Sequence, residues 1–465
     1  MFIESEFIMI AGAGPTGLTL ARELQRRGVP FRLVEKETSP FTGSRGKGVQ
    51  PRTQEILDDL GLIAGFQKYG GDYPELLIHL PGGQFMRQRM DELHDPAPTV
   101  PYPNLLMVPQ WRTSELLAEG LPIEYGTGLA GFTQDTGGVH VTLDTGETLT
   151  CRYLVGCDGG RSTVRQLLDV PFQGETHETE RLFIADVRID GLDRDNWHIW
   201  PGADARSFRL GLCPLPGTDD FQLTAPPSDP PSDLPVDELV ASVDPSLTVT
   251  HVGWTSHFRA NIRMVARYRV GNVFLAGDAA HVHSPAGGQG LNTGIQDAWN
   301  LGWKLATATD ELLETYEAER LPVAAGVLGI STRLHQRHVD GEEDAMRRDD
   351  PVLRQLSLNY RGGPLSAEHR AAPGLVRAGD RAPDFPLPGG GRIFDLLRGP
   401  HATLLAFGWD GELPFEPAHR ISDPAATAAY DVREPTLFLV RPDNYIGCVT
   451  GDPADITGYL ARIGR

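Results

Sequence analysis

Two unbroken apolar runs frame the chain: Phe7 to Ala11 (FIMIA) and Val273 to Ala276 (VFLA). Such runs fit strands buried on both faces of a parallel sheet. Each is followed at once by glycine. After the first comes Gly12-Ala13-Gly14-Pro15-Thr16-Gly17, then a helical pattern through Arg26 and a second strand, Val29 to Val34, ending at Glu35. A helix pattern covers Pro51 to Leu60. From Leu77 to Val108 the chain is strand-like and broken by prolines, and Gln110-Trp111-Arg112 precedes a short helix to Ala118. Ile123 to Phe132, Val139 to Leu143 and Thr148 to Val155 alternate like a β-meander, with glycine turns between them. Tyr153 to Gly156 ends in an acidic glycine turn, Cys157-Asp158-Gly159-Gly160, before a helix from Ser162 to Leu168.

Beyond Phe172 the period changes to that of an antiparallel sheet. The predicted strands are Leu182–Ile189, Trp197–Trp200, Ser207–Cys213, Phe221–Leu223 and Leu247–Arg259, with a helix at Val236–Val243. The glycine-terminated strand then returns, so this sheet is an insertion. Glu311 to Tyr360 is expected to be largely helical, with Pro322 near a helix start. Gly362 to Pro373 has linker composition, and Pro383 to Arg465 alternates strands with loops and a final helix.

The two glycine segments carry the candidate chemistry. G-x-G-x-x-G between a strand and a helix allows a tight turn and close approach of a pyrophosphate to the helix N-terminus. An acid at the end of the second strand suits unphosphorylated ribose hydroxyls, so Glu35 favours FAD or NAD over NADP at this position. In the later segment, Asp278 ends a strand, where an ionised carboxylate accepts hydrogen bonds from a polyol. Gly287-Gly288-Gln289-Gly290 lets backbone approach a flat ligand, and the helix opening near Leu291 turns its positive end toward it. Asp158 suits either helix capping or orientation of the dinucleotide region. The loop Ser44-Arg45-Gly46-Lys47-Gly48 suits pyrophosphate, substrate or plain solvent.

Composition narrows the partners. The 465 residues carry a net charge of −20, which argues against nucleic acid and anionic membranes. The N-terminal apolar run is too short for a membrane span and lacks a basic leader, so a signal peptide is not expected. Four scattered cysteines, with no CxxC and no zinc spacing, suggest thiols in a reducing, cytoplasmic setting, and no metal site is expected.

Taken together, GAGPTG at 12–17 with Glu35, CDGGRS at 157–162 and AGDAAHVHSPAGGQGLN at 276–292 resemble the class A flavoprotein aromatic hydroxylases. QDAWNLGWKLA at 296–306 is similar to the polyketide hydroxylase and rifampicin monooxygenase branch, as are GDRAPDF at 379–385 and LFLVRPDNYIG at 437–447. The resemblance implies an α/β fold. A Rossmann-type FAD-binding domain (1–171 and 271–335, with 75–110 on the substrate side) would carry an inserted, mostly antiparallel substrate sheet (172–270). A helical linker (336–372) and a thioredoxin-like domain without CxxC (373–465) would follow. It also implies cofactor roles. Gly12, Gly14, Pro15, Thr16 and Gly17 would hold pyrophosphate, and Glu35, Lys36 and Leu129 the adenosine. Arg45, Gln110 and Asp278 would lie along the phosphates and ribityl chain, and Asp158 would be on the cofactor side. Pro285, Gly288, Leu291 and Asn292 would line the isoalloxazine.

The chemistry so implied is aromatic hydroxylation through a flavin C4a-hydroperoxide, using O2 and NADPH or NADH. No second dinucleotide fingerprint is present, so the nicotinamide would visit transiently. Lys47, Trp200, Phe208, Leu210, Phe221 and Trp254 are substrate-side candidates that also suit the sheet's own core. His257, His281 and His283 lie near the site in sequence, yet a phenolic substrate activates itself and no catalytic residue is assigned. Three readings compete: this hydroxylase, a flavin oxidoreductase or antibiotic-modifying enzyme with a different outcome, and a non-catalytic binding protein. The W-x-W-x-I-P signature of flavin halogenases is absent. The small aromatic substrate, the choice of NADH or NADPH, and a homodimeric state are not specified by the sequence.

Overall fold

The computed structural model describes residues 6–202, 208–226, 235–284, 287–339 and 347–464. A six-stranded sheet forms the base. Its order is Arg269–Val270, Val273–Leu275, Tyr153–Gly156, Ile8–Ala11, Phe31–Glu35 and Ile123–Tyr125, parallel except for the first pair. Ile8 to Ala11 is fully buried because both faces of the parallel sheet are covered, by helices and by the three-stranded meander. The meander keeps only Leu129–Asp135, Gly138–Leu143 and Thr148–Cys151. Ile123–Tyr125 and Tyr153–Gly156, expected to extend the meander, instead pair in the parallel sheet. Their apolar runs continue past a bend, and periodicity alone does not show a change of partner.

The second sheet has eight strands. Phe172–Asp190 and Thr248–Val265 form its long antiparallel spine, with His281–Val282 beyond the latter. On the other side of the spine follow Phe221–Ala225, Phe208–Pro214, Asn196–Pro201, Glu75–Leu80 and Gln84–Gln88. The helix Val236–Val243 covers one face, over Ala185, Val187, Leu212, Phe221 and Leu223. A third, five-stranded sheet is built from residues 367–450: Ala367–Glu368, Ile446–Thr450, Thr436–Val440, Thr403–Phe407 and Ala418–Ile421 in spatial order.

Two helices join these parts. Gly290–Thr307 packs on the Pro15–Arg26 helix, and Asp310–Val339 follows it. Pro322 lies inside the second of these helices rather than near its start. Residues 355–360, expected to continue the helical stretch, are not helical. A single 3-10 turn at Pro351–Arg354 precedes them, capped by the Asp350 side chain. Among the described residues no helix is long and apolar enough to cross a membrane.

Candidate active site

The first glycine turn is shaped by close backbone contacts. Gly12 has φ +103°, and a Cβ there would meet the Cys157 carbonyl at 2.5 Å. A Cβ on Gly17 would meet the Gly12 carbonyl at 2.0 Å, whereas one on Gly14 would point into open space. Gly14 is the N-cap of the Pro15–Arg26 helix and supplies no side-chain cap. The free N–H groups of that helix end therefore face outward, the arrangement that binds a phosphate. Glu35 closes the turn: its Oε2 accepts from Ala13 N at 2.8 Å and its Oε1 from Glu37 N at 3.0 Å. Each oxygen keeps a second lone pair for a ribose hydroxyl. Lys36 is exposed beside Gly128, next to Leu129.

Thr16 joins this turn to the second glycine segment. Its Oγ1 stands where a Cβ on either Gly277 or Gly294 would lie, 2.4 Å from each. The two segments, about 260 positions apart in sequence, therefore meet as one surface. Gly277–Ala279 is a 3-10 turn whose start is held by Asp297: Oδ2 accepts from Gly277 N at 3.0 Å and from His281 Nε2 at 2.6 Å. Oδ1 accepts from Arg320 Nε at 2.7 Å. Burial pushes the Asp297 carboxyl up, but the charges of His281 and Arg320 outweigh it and hold it below its ordinary value. Asp278 projects from this turn. Its side chain reaches solvent but is ringed by protein, and the resulting loss of hydration raises its pKa against the pull of His281 and Arg45. An open cleft floor accounts for both properties.

The Gly290–Thr307 helix begins without a side-chain cap, leaving first-turn N–H groups at Leu291 and Asn292. The Asn292 side chain stitches the surrounding loops together. Its Nδ2 donates to the Gly48 and Gly288 carbonyls at 2.9 and 2.8 Å, and its Oδ1 accepts from Gln50 N at 2.8 Å. Gln110 Oε1 accepts from Gly46 N at 2.9 Å, and a Cβ on Gly46 would lie 3.5 Å from the Leu291 side chain. Arg45 is exposed between the rings of Phe41 and Trp254, 5.9 Å from each. Pro285 lies outside the described residues.

A double glycine turn with a ribose-side acid, fused to an uncapped helix beside a buried Asp-anchored turn, fits a dinucleotide that carries a planar ring. Residues 6–331 match the family model described as an FAD binding domain. The chain belongs to this FAD-binding family of flavin-dependent monooxygenases. It is 45% identical to a flavin-dependent monooxygenase of Mycobacteroides abscessus, covering 98% of this chain and 99% of that one. It is 40% identical to a rifampicin monooxygenase of Streptomyces venezuelae over 69% of each chain. Among solved structures it resembles the OxyS anhydrotetracycline hydroxylase of Streptomyces rimosus, at 32% identity and TM-score 0.76 over 99% of both chains.

Not every sequence candidate gathers at this site of the monooxygenase. Asp158 caps a helix: its Oδ2 accepts from Thr163 N and Val164 N at 2.7 and 3.1 Å, while its buried Oδ1 has no partner among the described residues. Trp200, Leu210 and Phe221 belong to the apolar cluster under the Val236–Val243 helix, on the sheet face turned away from the 43–48 loop. The Phe208 side chain lies outside the described residues. Trp254 faces the loop, where a Cβ on Gly43 would meet its ring at 2.3 Å, and Lys47 is buried beside Trp197. His257 is exposed on the sheet. His283 is buried, with its pKa pushed down to about 3 by burial and by His281.

Sequence reasoning missed Asp297, Asp186 and Gln222, and gave Ser44 only as part of the 44–48 loop. Asp186 had a signal, since it is the one charged residue in the otherwise apolar run Leu182 to Val187.

Proposed function

We propose that this monooxygenase hydroxylates an electron-rich aromatic compound of phenolic or polyketide type, with NAD(P)H as reductant and O2 as oxidant. The observation that carries the reading is the wedge of Thr16 between Gly277 and Gly294, which brings both glycine segments to one surface. On this reading Gly12, Gly14, Pro15, Thr16 and Gly17 hold the FAD pyrophosphate, and Glu35, Lys36 and Leu129 hold the adenosine. Arg45, Gln110 and Asp278 follow the phosphates and ribityl chain. Asp158 shapes the region through its helix cap. Gly288, Leu291 and Asn292 form the bed for the ring.

When bound, FAD supplies hydride acceptance and O2 activation at C4a. The chain's own part is placement. The uncapped helix end at Leu291 and Asn292 would offer N–H donors and a positive dipole to the ring, favouring negative charge there. The substrate then lies between the 43–48 loop and the loop-facing side of the eight-stranded sheet. The names of the rifampicin and anhydrotetracycline relatives support a polycyclic, oxygen-rich substrate. The C-terminal sheet is read as thioredoxin-like and structural, because its one cysteine, Cys448, is buried with no second cysteine beside it. The working compartment is read as the cytoplasm.

The test is to purify the protein with its flavin spectrum and screen phenols and polyketides for stimulated NAD(P)H consumption. A product that gains one oxygen atom is expected. Protein that neither retains nor takes up FAD overturns the reading. NAD(P)H consumption that gives a dehydrogenated product moves it to the oxidoreductase alternative.

A further inference from the structure

On the sheet face opposite the apolar cluster, Trp254, Asp186, Gln222 and Cys213 are direct partners on four consecutive strands. They form a row on the sheet face turned away from the apolar cluster. The 44–48 loop lies on this row. The Ser44 hydroxyl donates to Asp186 Oδ1, and Gln222 Nε2 donates to the Ser44 carbonyl. One residue beyond Gly46, which touches Leu291, Lys47 points to the same face, its Nζ 4.2 Å from the Trp197 ring centroid and near the Cys213 thiol.

Among the described residues, buried Asp186 Oδ2 and Trp197 Nε1 have no hydrogen-bond partner, and the Lys47 ammonium has only the Cys213 thiol beside it. Asp186 and Lys47 are only 6% and 9% exposed. An unmatched buried polar group costs about 1–3 kcal/mol, and more when charged, so a free carboxylate oxygen and an ammonium held only by a thiol call for a polar occupant. A free acceptor and a cation that acts on it suit an acidic hydroxyl, the one taking its proton and the other facing the charge left behind.

Resting on the reading of the enzyme as an aromatic hydroxylase, we infer that Asp186 takes the proton of a neutral phenolic hydroxyl and that Lys47 holds the oxyanion so formed. The phenol O–H bond breaks and an O–H bond forms at Asp186 Oδ2. The electron pair stays on the phenolate oxygen, facing the ammonium, and nothing is oxidised or reduced. A phenolate is a far stronger ring donor than a phenol, so this transfer prepares the substrate for attack by electrophilic oxygen. Ser44 is a positioning residue that fixes the carboxylate through Oδ1 and leaves Oδ2 free. Burial raises the Asp186 pKa to about 6 against the Ser44 hydrogen bonds, a value suited to a base working near neutrality. The other charged or titratable groups acting on this pair are Asp220, which raises the Asp186 pKa, and Cys213 beside Lys47.

The experiment uses FAD-loaded enzyme and para-substituted phenols of graded acidity, from 4-methylphenol to 4-nitrophenol. Binding is read by flavin absorbance and turnover by product. Asp186→Asn is expected to lower kcat/KM by about 100-fold or more for the weakly acidic phenols, the usual scale of a general base. For phenols already ionised at the assay pH the loss should nearly vanish. Lys47→Met should weaken all of them, most strongly the ionised ones. Ser44→Ala should move the acid limb of the kcat/KM profile to higher pH, because the carboxylate loses a donor to its charged form. A uniform Asp186→Asn loss across the series, or none, overturns the assignment, as does wild-type enzyme that takes none of the phenols. The flavin spectrum of each variant reports folding. Failure of the broader reading shows separately, as absent FAD or as no oxygenated product from any aromatic compound.

Discussion

Gly294→Ala tests the meeting of the two glycine segments directly. The new Cβ would lie 2.4 Å from Thr16 Oγ1 and 3.2 Å from the Gly277 Cα. In a helix interior alanine is favoured over glycine by about 1 kcal/mol. Overpacking a closed contact costs about 1–3 kcal/mol. Here the obstacles are a β-branched side chain and a backbone carbon, neither a free end, which puts the penalty in the upper part of that range. The net expectation is a loss of about 1–2 kcal/mol, seen as a lower urea midpoint with unchanged slope. If the strain spreads to both cofactor turns, FAD dissociation rises by about tenfold for each 1.4 kcal/mol lost. Thr16→Ala removes Oγ1 and Cγ2 and should relieve the clash, so the double variant should exceed additivity by about 1 kcal/mol. Urea titration of the four proteins, with FAD affinity read by flavin fluorescence, completes the cycle. A stable Gly294→Ala single variant, or additivity within about 0.5 kcal/mol, would refute the contact.

Three further outcomes are expected. Asp278→Ala should lower flavin occupancy of the purified protein; full retention of FAD would remove its assigned role. Arg441→Met should cost about 3–5 kcal/mol in denaturant, because it strands the buried carboxylates of Glu319 and Asp443, which Arg441 contacts at 2.6 Å each; an unchanged midpoint would refute this. Acid should destabilise the enzyme in two stages. His283, at about 3 against an ordinary 6.5, binds fewer protons folded than unfolded, so its contribution is intact above 6.5 and fades as pH falls toward 3. Burial raises Glu319, but Arg441 and Lys304 more than offset it and hold it near 2, so its contribution fades from about 4.5 downward. His283→Gln should flatten the first stage in urea titrations at stepped pH, and an unaltered slope between pH 6.5 and 4 would count against it.

Local signals carried much of the fold into the sequence. The Pro15–Arg26 and Val236–Val243 helices and the strand at Ile8–Ala11 rest on period, glycine and proline, and they stand within a residue or two of their expected ends. The site's anchors were less legible because their partners are remote. Asp297 looks like a solvated position in QDAWN, and its burial is explained only by His281, the Gly277 backbone and Arg320, 23 residues later. Alternation along Phe221-Gln222-Leu223 shows that neighbours face opposite ways, but not which side meets the 44–48 loop. Trp200, Leu210 and Phe221 were therefore equally good candidates on paper, and tertiary packing assigns them to the apolar side. Pro322 marks a helix start by preference, yet the Asp310–Val339 helix runs through it.

The Gly290–Thr307 helix is an 18-residue rod, about 27 Å long. One tip meets the 44–50 loop, while Trp303 packs in the apolar cluster of the third sheet and Trp299 Nε1 donates to the Asp443 carbonyl at 3.0 Å. A shift of the far module would therefore tilt the whole rod and carry Leu291 with it. The C-terminal eighty residues or so are in this sense a foundation for the proposed flavin bed, and cutting them away should blunt the yellow colour of the protein before it touches the first glycine turn.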